Sequence, residues 1–441
     1  MLIGGAVVLL LLALAAGLFV AYRLHQGRNI KGSSSVEFTT TTAPPKPVAK
    51  PKPRKPEGVV WPMWGYDPQH LRAPAGISLR PPYRAIWQFY ARELLEFPPV
   101  IAYGRLYINS YNGVFYALNE HTGKLGWHFT SHRCAASSGA VAKGIVYATF
   151  IGKPPCNHLN QADGGLLVAL NARTGKVLWR LPEGPDETSP MLANGLVYVG
   201  SWDGDVSAVA EKTGKVRWRF HTGGPVKGSV ALSGPNVVFG SYDGHVYAVN
   251  AHTGKEVWRG SAQQGLSLSL GTFYSTPAIA YGRVYIGNTD GRIYSYGART
   301  GDLRWSHATG GYVYSSPAVW DERVYAGSYD GNFYALDAAT GDVIWTFKAA
   351  GPISGAPTVI DGVVYFACFK SRTYALDART GKLLWTYGAG HYSPVVADTK
   401  RVYLVGYGRL YGMVEKHPLR SRVKPRQRRP AVTRSRRSTS G

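Results

Sequence analysis

The chain has 441 residues, 53 of them glycine, with 50 Lys and Arg against 26 Asp and Glu, for a formal charge of +24. The glycine content, and the lack of long helical periodicity in the body, exclude a helical bundle or a coiled coil. Three cysteines occur and none lies in a Cys-x-x-Cys pair, which argues against zinc ribbons and thioredoxin-like redox centres.

In chain order, residues 2–22 carry no charged side chain. At about 1.5 Å per residue, a helix of this length matches a bilayer core of roughly 30 Å. Residues 1–32 are therefore read as an uncleaved transmembrane signal anchor with a basic flank. The alternative is a cleaved signal peptide, with Ala13-Leu-Ala15 as its small-residue site. Orientation draws opposing signals. Arg23, Arg28 and Lys31 follow the apolar run, which by the positive-inside rule places the body in the cytoplasm. Residues 33–57, read as a disordered Thr-, Pro- and Lys-rich linker, look like a stalk crossing a cell wall, and a cysteine pair in the body would suit an oxidising compartment. The extracytoplasmic side is the expectation adopted.

Residues 58–415 form the folded part. Its first stretch, Trp61-Pro-Met-Trp-Gly-Tyr-Asp-Pro-Gln-His-Leu-Arg72, is aromatic and turn-rich, and is expected to pack across the outside of the ring built by the remainder. Then a unit of about 40 residues repeats. Its clearest phrase is Ala335-Leu-Asp-Ala-Ala-Thr-Gly-Asp-Val-Ile-Trp345, a strand, a Thr-Gly turn and a second strand. It occurs seven times, ending at Trp127, Trp179, Trp218, Trp258, Trp305, Trp345 and Trp385, with the turn glycines Gly123, Gly175, Gly214, Gly254, Gly301, Gly341 and Gly381. The glycine supplies positive φ. The Trp supplies a large apolar body with which to dock on the adjacent unit, because one such unit cannot bury its own faces. A strand-turn-strand pattern ending in an Asp-Gly hairpin precedes each phrase, so the unit is four antiparallel strands, A to D.

Counting A strands gives eight blades, and Trp87 is the eighth docking Trp. Trp87 has no phrase before it, and the last strands, from residue 393, have no Trp after them. Strand 83–89 is therefore expected to supply the missing D strand and close an eight-bladed all-β propeller.

Two insertions break the beat, at residues 152–165 and 261–272. In an up-and-down blade, B–C and D–A connections share a face, so both insertions decorate one face of the ring. Cys134 and Cys156 lie on that face, one hairpin apart. A disulfide between them would pin the first insertion, unless geometry forbids it. Cys368 is expected as a free, half-buried thiol. The tail, 416–441, holds ten Lys and Arg and no acid, and is read as a disordered basic segment able to meet anionic lipid or wall polymer. Nothing resembles a nucleic-acid-reading module.

The seven phrases, six opening on Ala and one on Ser295, closely resemble the pyrroloquinoline-quinone (PQQ) repeat. The resemblance covers residues 61–414. It implies the propeller of the quinoprotein alcohol and glucose dehydrogenases and of the β-barrel assembly lipoprotein of Gram-negative envelopes. The dehydrogenases imply PQQ over a Ca²⁺ ion, an Asp base and, in many, a disulfide of adjacent cysteines. Here no two cysteines are adjacent, the long pocket-building insertions are missing, and no catalytic residue carries over. The lipoprotein implies a lipidated Cys near its start, and none precedes Cys134. Glu93, Glu96, Asp186 and Glu187 are candidates by position on the ligand face, against a reading as solvated rim carboxylates. The expectation is a monomeric, non-enzymatic, membrane-anchored scaffold for envelope proteins, without metal or cofactor. The alternative is a PQQ- and Ca²⁺-dependent dehydrogenase.

Overall fold

A computed structural model of the chain describes residues 12–22, 27–39, 58–157, 159, 161–263, 270–392 and 395–416. Its core is a ring of eight antiparallel sheets, each running from a short inner strand A to an outer strand D. Blade 6 shows how the sequence builds a unit. Its strands are Ala318–Trp320, Arg323–Gly327, Asn332–Asp337 and Val343–Lys348. The carboxylate of Asp337 accepts hydrogen bonds from the amides of Ala339 (2.9 Å) and Thr340 (2.8 Å), which folds the chain into the Thr-Gly turn. Gly341 then takes a φ of +77°. A β-carbon there would lie 2.7 Å from the Trp305 ring of the preceding blade, so the glycine serves both turn and docking.

The same pairing recurs around the ring. Gly123 faces Trp87, Gly175 faces Trp127, Gly214 faces Trp179, Gly254 faces Trp218, Gly301 faces Trp258 and Gly381 faces Trp345. Six indoles also donate across the blade boundary, as Trp305 Nε1 does to the Ala338 carbonyl at 2.9 Å. Trp385 meets no such turn and instead packs edge-on to Tyr83, 5.4 Å between ring centres. The ring closes through the N-terminal strand Tyr83–Tyr90, which pairs with Arg409–Glu415 from Tyr83 opposite Glu415 to Tyr90 opposite Arg409.

Residues 61–72 do not pack outside the ring. Val59–Trp61 adds a fifth strand inside the inner strand of blade 1. The chain then circles the inner strands. The amides of Val141, Leu232, Ile279, Val319 and Val359, each central in its inner strand, donate to carbonyls of Pro62, Pro68, Gln69, Leu71 and Arg72. Inner strands have one unpaired edge, and this segment satisfies it while placing Trp61, Met63 and Trp64 in the core.

Residues 33–39, the start of the expected linker, also have a place. With residues 27–32 they form a strap against blade 5 and the C–D turn of blade 6. Ile30 bridges Ser306, and the Gly32 amide donates to Thr340. The Arg283 guanidinium donates to the carbonyls of Ser33, Val36 and Glu37, and Arg304 pairs with Glu37 at 2.7 Å. Residues 40–57 of the expected linker, and 417–441 of the expected tail, lie outside the described residues.

Residues 12–22 are helical, with exposed apolar side chains such as Leu14 and Leu18. Among the described residues no helix is long and apolar enough to cross a membrane. The anchor expected at 2–22 draws nearly half its length from residues outside that description. Cys134 and Cys156 form a disulfide, with Cα atoms 5.6 Å apart. Cys368 is fully buried rather than half-buried, at the end of a strand with no solvent-facing side.

Candidate functional site: the mouth of the central channel

In five blades the B–C turn is tied to the loop that enters the same blade. The amides of Tyr111, Trp202, Tyr242, Tyr329 and Phe369 donate to the carbonyls of Leu94, Pro185, Pro225, Tyr312 and Pro352. Both kinds of loop therefore share one face, the mouth of the channel. The opposite face carries the A–B and C–D turns.

The repeat generates a ring of equivalent positions at this mouth. Inner strands open on Val100, Ala140, Met191, Ala231, Ala278, Ala318, Thr358 and Val396. Four residues earlier stand Glu96, Ala136, Glu187, Lys227, Tyr274, Tyr314, Ser354 and Tyr392. The docking positions are uniform around the ring, whereas this position varies in charge, size and polarity.

Beneath the mouth lies a cup of about 50 Å³. Trp64 and Phe97 lie at it, and Glu96, Tyr274, Tyr314 and Tyr392 line it. Trp64 is held by a hydrogen bond from its Nε1 to Thr276 (3.3 Å) and by the Arg72 guanidinium, 5.0 Å from its ring centre. Arg72 is itself buried, donates to the carbonyls of His70 and Pro317, and is pushed down to about 9 by that burial.

The Glu187 carboxylate is fixed from three sides. Tyr274 donates to it at 2.8 Å and Trp202 Nε1 at 2.9 Å. Lys227 lies 3.4 Å away and also sits over the Trp202 ring at 3.8 Å. Glu96 has its carboxyl pushed up to about 7, first by burial and then by the charge of Glu187. Tyr274 is raised far above the usual tyrosine range by burial, then by Glu187.

From Glu187 an aromatic arc follows the rim. Tyr242 meets Tyr274, Tyr274 meets Tyr314 at 4.9 Å, Tyr314 meets Tyr329, and Tyr329 meets Phe369. His391 and Tyr392 continue it to Tyr407. Tyr312 and Tyr407 project from the arc, 54% and 62% exposed. The mouth thus has a polar sector, in which Lys227 offsets the charge of Glu187, and an aromatic sector, suited to a partner presenting hydroxylic and apolar groups together.

The structure separates the four candidate acids. Glu96 and Glu187 converge on the channel. Asp186 is fully buried, caps Thr188 through amide and hydroxyl at 2.9 and 2.8 Å, and is held well above the carboxylate range by burial. Glu93 lines a different cleft, about 330 Å³, with Tyr90, Arg92, Tyr407 and Arg409. Sequence reasoning missed the tyrosines and Lys227. Their signal was available, because aligning the repeats on the inner strands puts them in one column with Glu96 and Glu187.

The profile of the family described as Outer membrane protein assembly factor BamB matches residues 84–182, 162–312 and 309–414. The chain belongs to this PQQ-like propeller family. Within the PQQ-like family, it is 31% identical over 120 residues to the outer membrane protein assembly factor BamB of Yersinia pestis, covering 26% of this chain and 28% of that one. It is 34% identical over 146 residues to the quinohemoprotein alcohol dehydrogenase ADH-IIG of Pseudomonas putida, covering 29% and 20%. The matched segments thus span less than a third of either relative. The crystal structure of BamB from Moraxella catarrhalis superposes with a TM-score of 0.64 at 16% identity, covering 76% of this chain and 100% of that one, a likeness of fold.

Proposed function

We propose that the chain is a membrane-anchored, extracytoplasmic propeller acting as a non-enzymatic binding or assembly scaffold of the cell envelope, with the channel mouth as its docking face. The observation that carries this reading is the plugged channel. Residues 61–72 line the inner strands from within, and the cup is reduced to about 50 Å³. Pockets for ligands the size of a tricyclic quinone run roughly 300–1,000 Å³. PQQ therefore does not fit the cup. Among the described residues no group of three His, Cys, Asp or Glu is placed to hold a metal ion beside it. The same plug leaves a broad aromatic rim, the composition of a protein-docking surface.

The disulfide supports an oxidising compartment, and the relatives named for outer-membrane assembly support an envelope setting. The uncharged run at 2–22, with its helical, exposed second half, supports the anchor. The basic tail is read as a contact for anionic lipid or wall polymer. A photo-crosslinker at Tyr407, on the mouth, is expected to capture a defined protein adduct in intact cells, and one at Lys215, on the opposite face, is not. Adducts from Lys215 alone would overturn the assignment of the docking face.

A further inference from the structure

Resting on that anchor reading, we propose that the strap at residues 27–39 fixes the propeller's orientation, so that the mouth faces the membrane carrying the anchor. The strap runs from one face of the ring to the other. At its first end Asn29 accepts from the Ala308 amide, at the close of outer strand Leu303–Ala308, where the chain enters a mouth loop. The Arg28 carbonyl accepts from Gln263, in the inserted mouth loop, and the Gly27 carbonyl from Arg292, just after a B–C turn. At its other end Phe38 packs at a tilt on Tyr281, 5.3 Å between ring centres, and the Thr39 amide donates to the Tyr281 carbonyl, in an A–B turn of the opposite face. The chain therefore arrives from the anchor on the mouth side.

Chain length sets how far the ring can stand away. From Tyr22, the end of the described helix, to Gly27 is five residue steps, at most about 18 Å. The Pro- and Lys-rich stretch 40–57 comes after the strap, and residue 58 is again bonded to the ring through Tyr103. That stretch therefore connects two docked points, and adds nothing to the distance between ring and anchor. The docking itself is specific. Arg283 is fully buried under the strap and donates from Nε and Nη2 to three strap carbonyls. Gly32 passes so close that a β-carbon would lie 2.3 Å from the Ala339 carbonyl oxygen and 2.8 Å from the Trp305 ring. Exposed Tyr312 and Tyr407 stand on the face thus turned to the bilayer, where amphipathic rings are favoured. The partner of the mouth is accordingly a membrane-embedded or membrane-surface protein.

The test uses the full chain in vesicles of phosphatidylethanolamine and phosphatidylglycerol with a lipid-borne energy acceptor. A single donor dye is attached at Tyr312→Cys, on the mouth, or at Lys382→Cys, on the opposite face. Cys134 and Cys156 are paired and Cys368 is buried, so neither label competes with a native thiol. Transfer is expected to be several-fold greater from Tyr312→Cys. Inserting a Gly/Ser segment of roughly thirty residues after Gln26 should abolish the difference without touching the folded ring. Gly32→Val should reduce it by displacing the strap. Equal transfer from the two sites, greater transfer from Lys382→Cys, or a difference that survives the insertion would each overturn the orientation and leave the anchor standing. Failure of the protein to float with the vesicles would overturn the anchor and this inference with it.

Discussion

Gly341 takes a φ of +77° with the indole of Trp305 where its side chain would be, and six other glycine and tryptophan pairs repeat the arrangement. Trp305 is completely buried and donates to Ala338, whereas Trp345 is only partly buried. Trp305→Ala is therefore expected to cost about 3–5 kcal/mol, at the level of large aromatic deletions in packed cores, and Trp345→Ala distinctly less. Urea midpoints at constant slope would check the order. At the mouth, the Glu96 carboxyl stands at about 7 against its usual 4.5. Between those values the folded state holds a proton that the unfolded state has released. Stability should therefore fall as pH rises from about 4.5 to about 7, and Glu96→Gln should remove that fall and be the more stable form above pH 7. Melting temperatures of both forms across this range, read as a difference, isolate the group.

At the scale of the element, the blades were legible because their period is imposed by local chemistry. The Asp337 turn, the positive-φ Gly341 and the buried run Phe333–Leu336 within strand Asn332–Asp337 all sit within one repeat. Closure was legible for the same reason, since Trp87 without a phrase and a last blade without a Trp complete one another. The plug was not. Trp61, Met63 and Trp64 read as a surface covering because nothing local shows which edge of a ring has free amides; that edge exists only once eight inner strands converge. The strap was hidden likewise. Its polar composition reads as linker, and it is held by its backbone carbonyls against Arg283, which lies about 250 residues away. Cys134 and Cys156 were legible as neighbours because one hairpin separates them. Their bond closes a loop with a sequence separation of 22, so Cys134→Ser with Cys156→Ser should lower stability by about 3 kcal/mol. Comparing thermal unfolding of the native and double-mutant chains would check this, with no change expected in the native chain when reductant cannot reach the bond.

At the scale of the molecule, the ring places its uniform residues between blades and its variable ones at the mouth. The glycine and tryptophan pairs repeat one joint at seven of the eight blade boundaries, and Trp385 against Tyr83 makes the eighth. The column from Glu96 to Tyr392 is free to vary, because it bears no part of those joints. The proposed function makes the mouth a docking face over a plugged channel, where the alternative makes it the entrance to a cofactor pocket. Titration of the full-length protein in detergent with PQQ, with and without Ca²⁺, followed by tryptophan fluorescence, decides between the two. No saturable quenching and no effect of Ca²⁺ are expected. Saturable, Ca²⁺-dependent binding at micromolar or tighter affinity would contradict the docking face, because residues 61–72 would then have to leave the channel to make room.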